Sequence, residues 1–130
     1  MRRRLRNGIV VLALSSASLS TSAAKKQTAN PTSPHAEKGI AAFYGRSMEG
    51  HKTACGSTYV ASELTTAHRT LPCGTKVRIT NTKNGKSVEA TVNDRGPTSR
   101  KRIVDVSRAV AEQLDFVRQG TTTVEVEIMK

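Results

Sequence analysis

Three groups of side chains in this 130-residue chain are chemically capable, and each sits in a short, distinctive run. Asp94 lies in Asn93-Asp94-Arg95-Gly96-Pro97, directly after an alternating stretch. A carboxyl there can trade a proton with a bound substrate, or it can cap the Gly-Pro turn or pair with Arg95. His68 lies in Thr66-Ala67-His68-Arg69-Thr70-Leu71-Pro72. It can hydrogen-bond Asp94 or a substrate hydroxyl and tune the carboxyl, or sit half-buried and satisfied by backbone. Cys55 and Cys73 form the third group. His35 and His51 fit no constellation.

The N-terminus decides the compartment in which these groups must work. Met1-Arg2-Arg3-Arg4-Leu5-Arg6 is basic, Gly8 to Leu14 opens an apolar stretch, and Ser22-Ala23-Ala24 offers small residues for cleavage after Ala24. This is the three-part pattern of a secretory signal. The apolar run is shorter than the ~20 residues of a membrane span. No cysteine in or just after it offers a lipid anchor. Residues 1–24 are therefore expected to be removed on export, to the periplasm or cell envelope. The leader holds four of the 21 basic residues and none of the ten acidic ones, so the remainder carries +7. Such a domain suits anionic partners outside the cytoplasm. Nucleic acid is excluded by the export signal and by the lack of any binding motif or aromatic platform. In an oxidising compartment two cysteines read as a disulfide. With 17 residues between them, the bridge is worth about 3 kcal/mol. Their spacing matches no metal site, and no cofactor is expected.

Five segments together resemble the rare lipoprotein A (RlpA) family. They are Gly39 to Gly45, Leu64 to Pro72, Val77 to Asn81, Val92 to Pro97 and Ile103 to Ala109, in the family's order. The resemblance implies a double-psi β-barrel, similar to that of expansins, over about Gly39 to Lys130. It also implies endolytic lytic transglycosylase activity on peptidoglycan strands that lack stem peptides. Such enzymes cleave the bond between N-acetylmuramic acid and N-acetylglucosamine without water and leave a 1,6-anhydro end. The chemistry needs an acid for the glycosidic oxygen and a base for the sugar's C6 hydroxyl, and one carboxyl can serve in turn. The resemblance favours Asp94 for this role, helped by His68. Ser57, Tyr44, Tyr59 and Arg95 are expected to contact the glycan, the tyrosines as stacking surfaces. One departure stands out. The family carries Glu where Thr53-Ala54-Cys55-Gly56-Ser57 ends in Ser57, and a hydroxyl is neither a general acid nor a charge at neutral pH. Glu63 lies six residues on, but nothing in the spacing brings it in.

Several short elements must hold these groups. Residues 25–38 are polar, contain two prolines and read as a disordered linker. The domain is expected over residues 39–130, opening with a strand through Tyr44. Gly45 to about Thr65 reads as a long functional loop. Thr75–Thr80 and Lys86–Val92 alternate around an Asn84-Gly85 turn, a hairpin pattern. Arg102–Val106 and Thr121–Ile128 read as further strands, and Ser107 caps a two-turn helix from Arg108 to Leu114. The chain has only two Tyr and two Phe; Phe43 and Phe116 are assigned to the core. The fold class is mostly β: a single six-stranded double-psi barrel with one or two short helices. Two functions compete: a transglycosylase acting through Asp94, and a non-catalytic, expansin-like module that grips glycan. A secreted protein aimed at another protein has no motif behind it. The expected state is a monomer with peptidoglycan strands as partner and no membrane span after signal cleavage.

Overall fold

The computed structural model describes residues 36–129. The signal at 1–24, linker residues 25–35 and His35 lie outside these. Six strands run β1 (Ala36–Phe43), β2 (Thr65–His68), β3 (Lys76–Asn81), β4 (Ser87–Asp94), β5 (Arg102–Val106) and β6 (Thr121–Ile128). They close into a barrel of order β1-β5-β2-β4-β3-β6, in which β1–β5 and β2–β4 pair in parallel and the rest antiparallel. One α-helix, α1 (Arg108–Gln113), and a single 3-10 turn at Arg46–Met48 complete it. A mostly β, six-stranded closed barrel is the architecture the sequence implies.

Alternation builds the core. Val77 and Ile79, Val88, Ala90 and Val92, Val104 and Val106, and Val124 and Val126 all turn inward and are buried. Phe116 closes the barrel beside α1, its ring edge-on to Phe43 at 5.8 Å. Ser107 caps α1 as expected, accepting from Val110 N–H. A buried asparagine adds a polar tie. Asn81 donates to the Leu114 carbonyl at 2.9 Å and accepts from Thr122 Oγ1 and Lys83 N–H, so every buried polar contact it needs is met.

Two features depart from the sequence reading. The first strand begins at Ala36, so Ala36–Lys38 belong to the barrel rather than to a linker. Their backbone pairs with Glu127, Val126 and Glu125 of β6, and ladder pairing recruits polar residues that composition assigns to coil. The second is β2, which lacks alternation because all four of its residues are buried.

Register then sets the working face. Ala42 lies opposite Asp105, Asp105 opposite Ala67, and Ala67 opposite Asp94. Directly opposed residues share one face of a sheet, so Ala42, Asp105, Ala67 and Asp94 form a row across β1, β5, β2 and β4. Simple alternation after Val88, Ala90 and Val92 would send Asp94 into the core. A register shift between Thr66 and Ala67 admits one more residue on β4. Such a bulge re-aims the side chains after it, and here it turns Asp94 outward.

Candidate active site

The site is built on that row. Asp94 takes three donors: the Tyr44 hydroxyl on Oδ2 at 2.5 Å, and the backbone N–H groups of Ala54 and Arg95 on Oδ1, each at 2.8 Å. Tyr44 follows the end of β1, while Ala54 comes from the long loop. The carboxylate thus joins three separate parts of the chain. Burial first, then the bond to Asp94, pushes the Tyr44 phenol far above its ordinary pKa, so it remains a donor.

The loop that supplies Ala54 is ordered. Lys52 and Thr58 bridge antiparallel, and Thr53 N–H donates to the Ser57 carbonyl at 2.7 Å, with Gly56 at φ +87° in the turn. That conformation favours glycine. The disulfide between Cys55 and Cys73 staples this turn to the segment after Leu71-Pro72. Ser57 is exposed, and its hydroxyl bonds Thr53 Oγ1 at 2.9 Å rather than Asp94. The Glu63 backbone carbonyl accepts from the Ser107 hydroxyl at the start of α1.

His68 and Arg95 stand apart from their expected surroundings. His68 is 6 % exposed. Its Nδ1 accepts from the N–H groups of Thr70 and Leu71, both at 3.1 Å, which leaves the proton on Nε2 to be donated to Glu37 at 2.9 Å. Both ring nitrogens are engaged, and neither by Asp94. A polar ring buried between strands takes the nearest backbone donors. Arg95 gives Asp94 its backbone N–H, whereas its guanidinium donates to the carbonyls of His68 at 2.9 Å and Leu71 at 2.6 Å. Both residues fasten the His68–Leu71 bend under Asp94.

Asp105 is the residue that sequence reasoning passed over. It shares the row with Asp94, and its Oδ1 is buried without a hydrogen bond. Arg102 Nε stands 3.5 Å away. Burial raises its pKa, the Arg102 charge opposes this, and the Asp94 charge adds to it. The backbones of β4 and β5 lie two strand spacings apart, about 9.5 Å, with only the Ala67 methyl between the two carboxyls in the row. A lone carboxylate inside Ile103-Val104-Asp105-Val106 was the available signal.

Tyr44 also connects the row to a cavity of about 230 Å³, lined by Tyr44, Gly45, Arg46, Glu49, Tyr59, Ala61 and Arg108. The Tyr44 and Tyr59 rings meet there with centroids 4.6 Å apart. Tyr59 accepts the Arg108 N–H on its hydroxyl at 3.2 Å, and burial raises its phenol as well. Among the described residues, no cluster of His, Cys, Asp and Glu is arranged to hold a metal ion.

Residues 36–126 match a family of double-psi β-barrels described as "Lytic transglycolase". The chain belongs to that family. It is 49 % identical over 98 residues to an endolytic peptidoglycan transglycosylase RlpA of Neisseria meningitidis, covering 75 % of this chain and 41 % of that protein. An RlpA transglycosylase of Campylobacter jejuni is 44 % identical over 91 residues, covering 70 % of this chain and 33 % of its own length. The chain thus spans less than half the length of these relatives. Among solved structures, a Streptomyces papain inhibitor superposes with a TM-score of 0.61 at 21 % identity, covering 75 % of this chain and 96 % of the inhibitor. The apo expansin of Clavibacter michiganensis gives 0.59 at 17 % identity, over 73 % of this chain and 50 % of the expansin. At these identities the likeness is one of fold. Within the family frame, the Asp94 row is the candidate active site.

Proposed function

We propose that this domain is an exported endolytic transglycosylase that cuts peptide-free glycan strands between N-acetylmuramic acid and N-acetylglucosamine. The observation that carries the reading is the pair of carboxyls, Asp94 and Asp105, on one cross-strand row beside an aromatic cavity. The family match and the names of the relatives agree with the reaction type.

The two carboxyls divide the work by environment. Asp105, whose burial favours its protonated form, gives its proton to the glycosidic oxygen. The C1–O bond breaks and N-acetylglucosamine leaves with a hydroxyl. The C6 hydroxyl of the muramic acid then closes on C1, and its proton passes to Asp94, held as an acceptor by three donors. The products are a 1,6-anhydro end and a new non-reducing end, with no water consumed. Transfer of the proton from Asp94 back to Asp105 resets the site. In this scheme Ser57 leaves no gap, because Asp105 supplies the second carboxyl. His68 and Arg95 act as positioning residues that fix the bend beneath Asp94.

A second reading, a glycan-gripping module without chemistry, draws on the saturation of Asp94 by its donors and on Ser57 in place of Glu. Incubation of the protein and its Asp94→Asn variant with amidase-stripped sacculi separates the two. Mass spectrometry should find anhydro-ended fragments from the parent alone. Sacculi that bind the parent yet release nothing would establish the gripping module instead.

A further inference from the structure

The turn that presents Ala54 to Asp94 is closed mainly on itself. Within it Lys52 bridges Thr58, and Thr53 N–H donates to the Ser57 carbonyl at 2.7 Å. Gly56 N–H donates to the Thr53 carbonyl at 3.0 Å, and the Thr53 and Ser57 hydroxyls meet at 2.9 Å. Among the described residues, the hydrogen bonds and covalent links that leave residues 52–58 are two: the Ala54 N–H on Asp94 Oδ1, and the bond from Cys55 to Cys73. Cys73 is the fixed end of that bond. Two residues before it the Leu71 carbonyl accepts from Arg95, and directly after it Gly74 N–H donates to the Val92 carbonyl of β4 at 2.7 Å. Both cysteines are within reach of solvent, Cys73 exposed and Cys55 half-buried. Arg95 Nη2 stands 3.8 Å from the Cys73 sulfur, and a cation so placed favours a thiolate.

We propose that the Cys55–Cys73 bond is a reversible latch, opened through Cys55 by a dithiol reductant, that holds the 52–58 turn against Asp94 or releases it. A thiolate of the reductant attacks the Cys55 sulfur. The sulfur–sulfur bond breaks and its electron pair leaves on Cys73, beside the Arg95 guanidinium; a leaving thiolate stabilised in this way departs faster. The reductant's second thiolate then attacks the mixed disulfide and displaces Cys55. Both protein sulfurs take up protons and end as thiols, two electrons have passed to the protein, and the reductant is left as a disulfide. One hydrogen bond from the exposed Ala54 then remains to hold the turn, and water competes with such a bond. Asp94 loses that donor while Tyr44 and the Arg95 N–H stay in place. On the reading that Asp94 takes a proton from the glycan, the oxidised protein is the active form and reduction slows it.

Hydrogen exchange of the purified protein is measured oxidised, after reduction by dithiothreitol, and after reoxidation by glutathione disulfide. Exchange across residues 52–58 should quicken about tenfold on reduction, with β3, β4 and β6 unchanged, and should recover on reoxidation. No quickening, or equal quickening throughout the barrel, overturns the latch. Capture of the oxidised protein by glutathione, mapped by mass spectrometry, tests the direction of opening. The adduct should sit on Cys55 over Cys73 by roughly threefold, although Cys73 is the more exposed. Arg95→Gln should shift the adduct toward Cys73. Arg95→Lys, which retains the charge, should keep the preference, and it keeps the test open if Arg95→Gln unfolds. A parent adduct mainly on Cys73 overturns opening through Cys55. Anhydro ends from peptide-free strands are assayed in the same redox states. Reduction should slow their formation about tenfold, the loss of one bond to a carboxylate. Equal rates in both states, with quickened exchange, overturn the hold on Asp94. Quickened exchange with anhydro ends in neither state supports the latch and removes the enzymatic reading.

Discussion

The β3–β4–β6 wall and the Tyr44–Leu64 rim are held together by different means. The wall rests on repetition: strict alternation buries Val77, Ile79, Val88, Ala90, Val92, Val124 and Val126, and each residue contributes in proportion to area removed from water. The rim has little to bury. It depends on single connections: one disulfide, the Ala54 N–H on Asp94, the Glu49 carboxylate on Ala61 and two tyrosines. A wall of many small contacts tolerates change at one position. A rim of few connections loses its geometry with one of them, and this rim shapes the site.

The comparison can be broken most forcefully at the disulfide. A Cys55→Ser/Cys73→Ser protein should lose about 3 kcal/mol in denaturant unfolding. Hydrogen exchange should quicken in the Tyr44–Leu64 rim, while β3, β4 and β6 keep their protection. Uniform quickening would show that rim and wall are one cooperative unit. Next comes Asn81→Ala, which strands the buried Thr122 hydroxyl and leaves the Leu114 carbonyl with the Asn84 side chain alone. It should cost about 2 kcal/mol yet leave glycan affinity unchanged, since Asn81 bonds only to Leu114, Thr122 and Lys83 and to none of the groups around Asp94. Tyr44→Phe should do the reverse. Loss of one bond to a carboxylate should lower the rate of anhydro-end formation roughly tenfold, with a Tm close to the parent's.

The smallest effect concerns pH. The folded carboxyl of Asp105 has a raised pKa, so between its unfolded and folded values the native state holds more protons than the unfolded one. Stability therefore falls as pH rises through that window. Asp105→Asn should remove this cost. The variant should melt slightly above the parent at neutral pH and lose that advantage in acid below the ordinary carboxylate range. A variant that melts lower at neutral pH would show the Arg102 contact outweighing the burial.

How much could be read beforehand follows the same division. The hairpin, β5, β6 and the Ser107-capped helix were legible because period-two alternation and capping are local signals. The opening of β1 at Ala36 and the whole of β2 were not: one is recruited by pairing with β6, the other is buried on every side and shows no alternation. In the site, Asp94 and Tyr44 carried a signal through the segments they sit in, and the cysteine pairing followed from their number and compartment. The surroundings of His68 and Arg95 depended on a bend closed by long-range contacts, with Glu37 arriving from 31 residues away. Asp105 looked like an ordinary strand residue until register set it beside Ala67. Its partnership with Asp94 arises from a bulge, which no pattern in the sequence announces.

Two carboxyls exchanging protons with one glycan is the claim on which the rest depends. The direct measurement is the pH dependence of anhydro-end formation on peptide-free strands for the parent, Asp94→Asn and Asp105→Asn. Both single variants should be inactive at every pH. The parent's activity should fade on the alkaline side only above the ordinary carboxylate range, as Asp105 loses its proton. Full activity in Asp105→Asn, with a profile matching the parent's, would contradict the account.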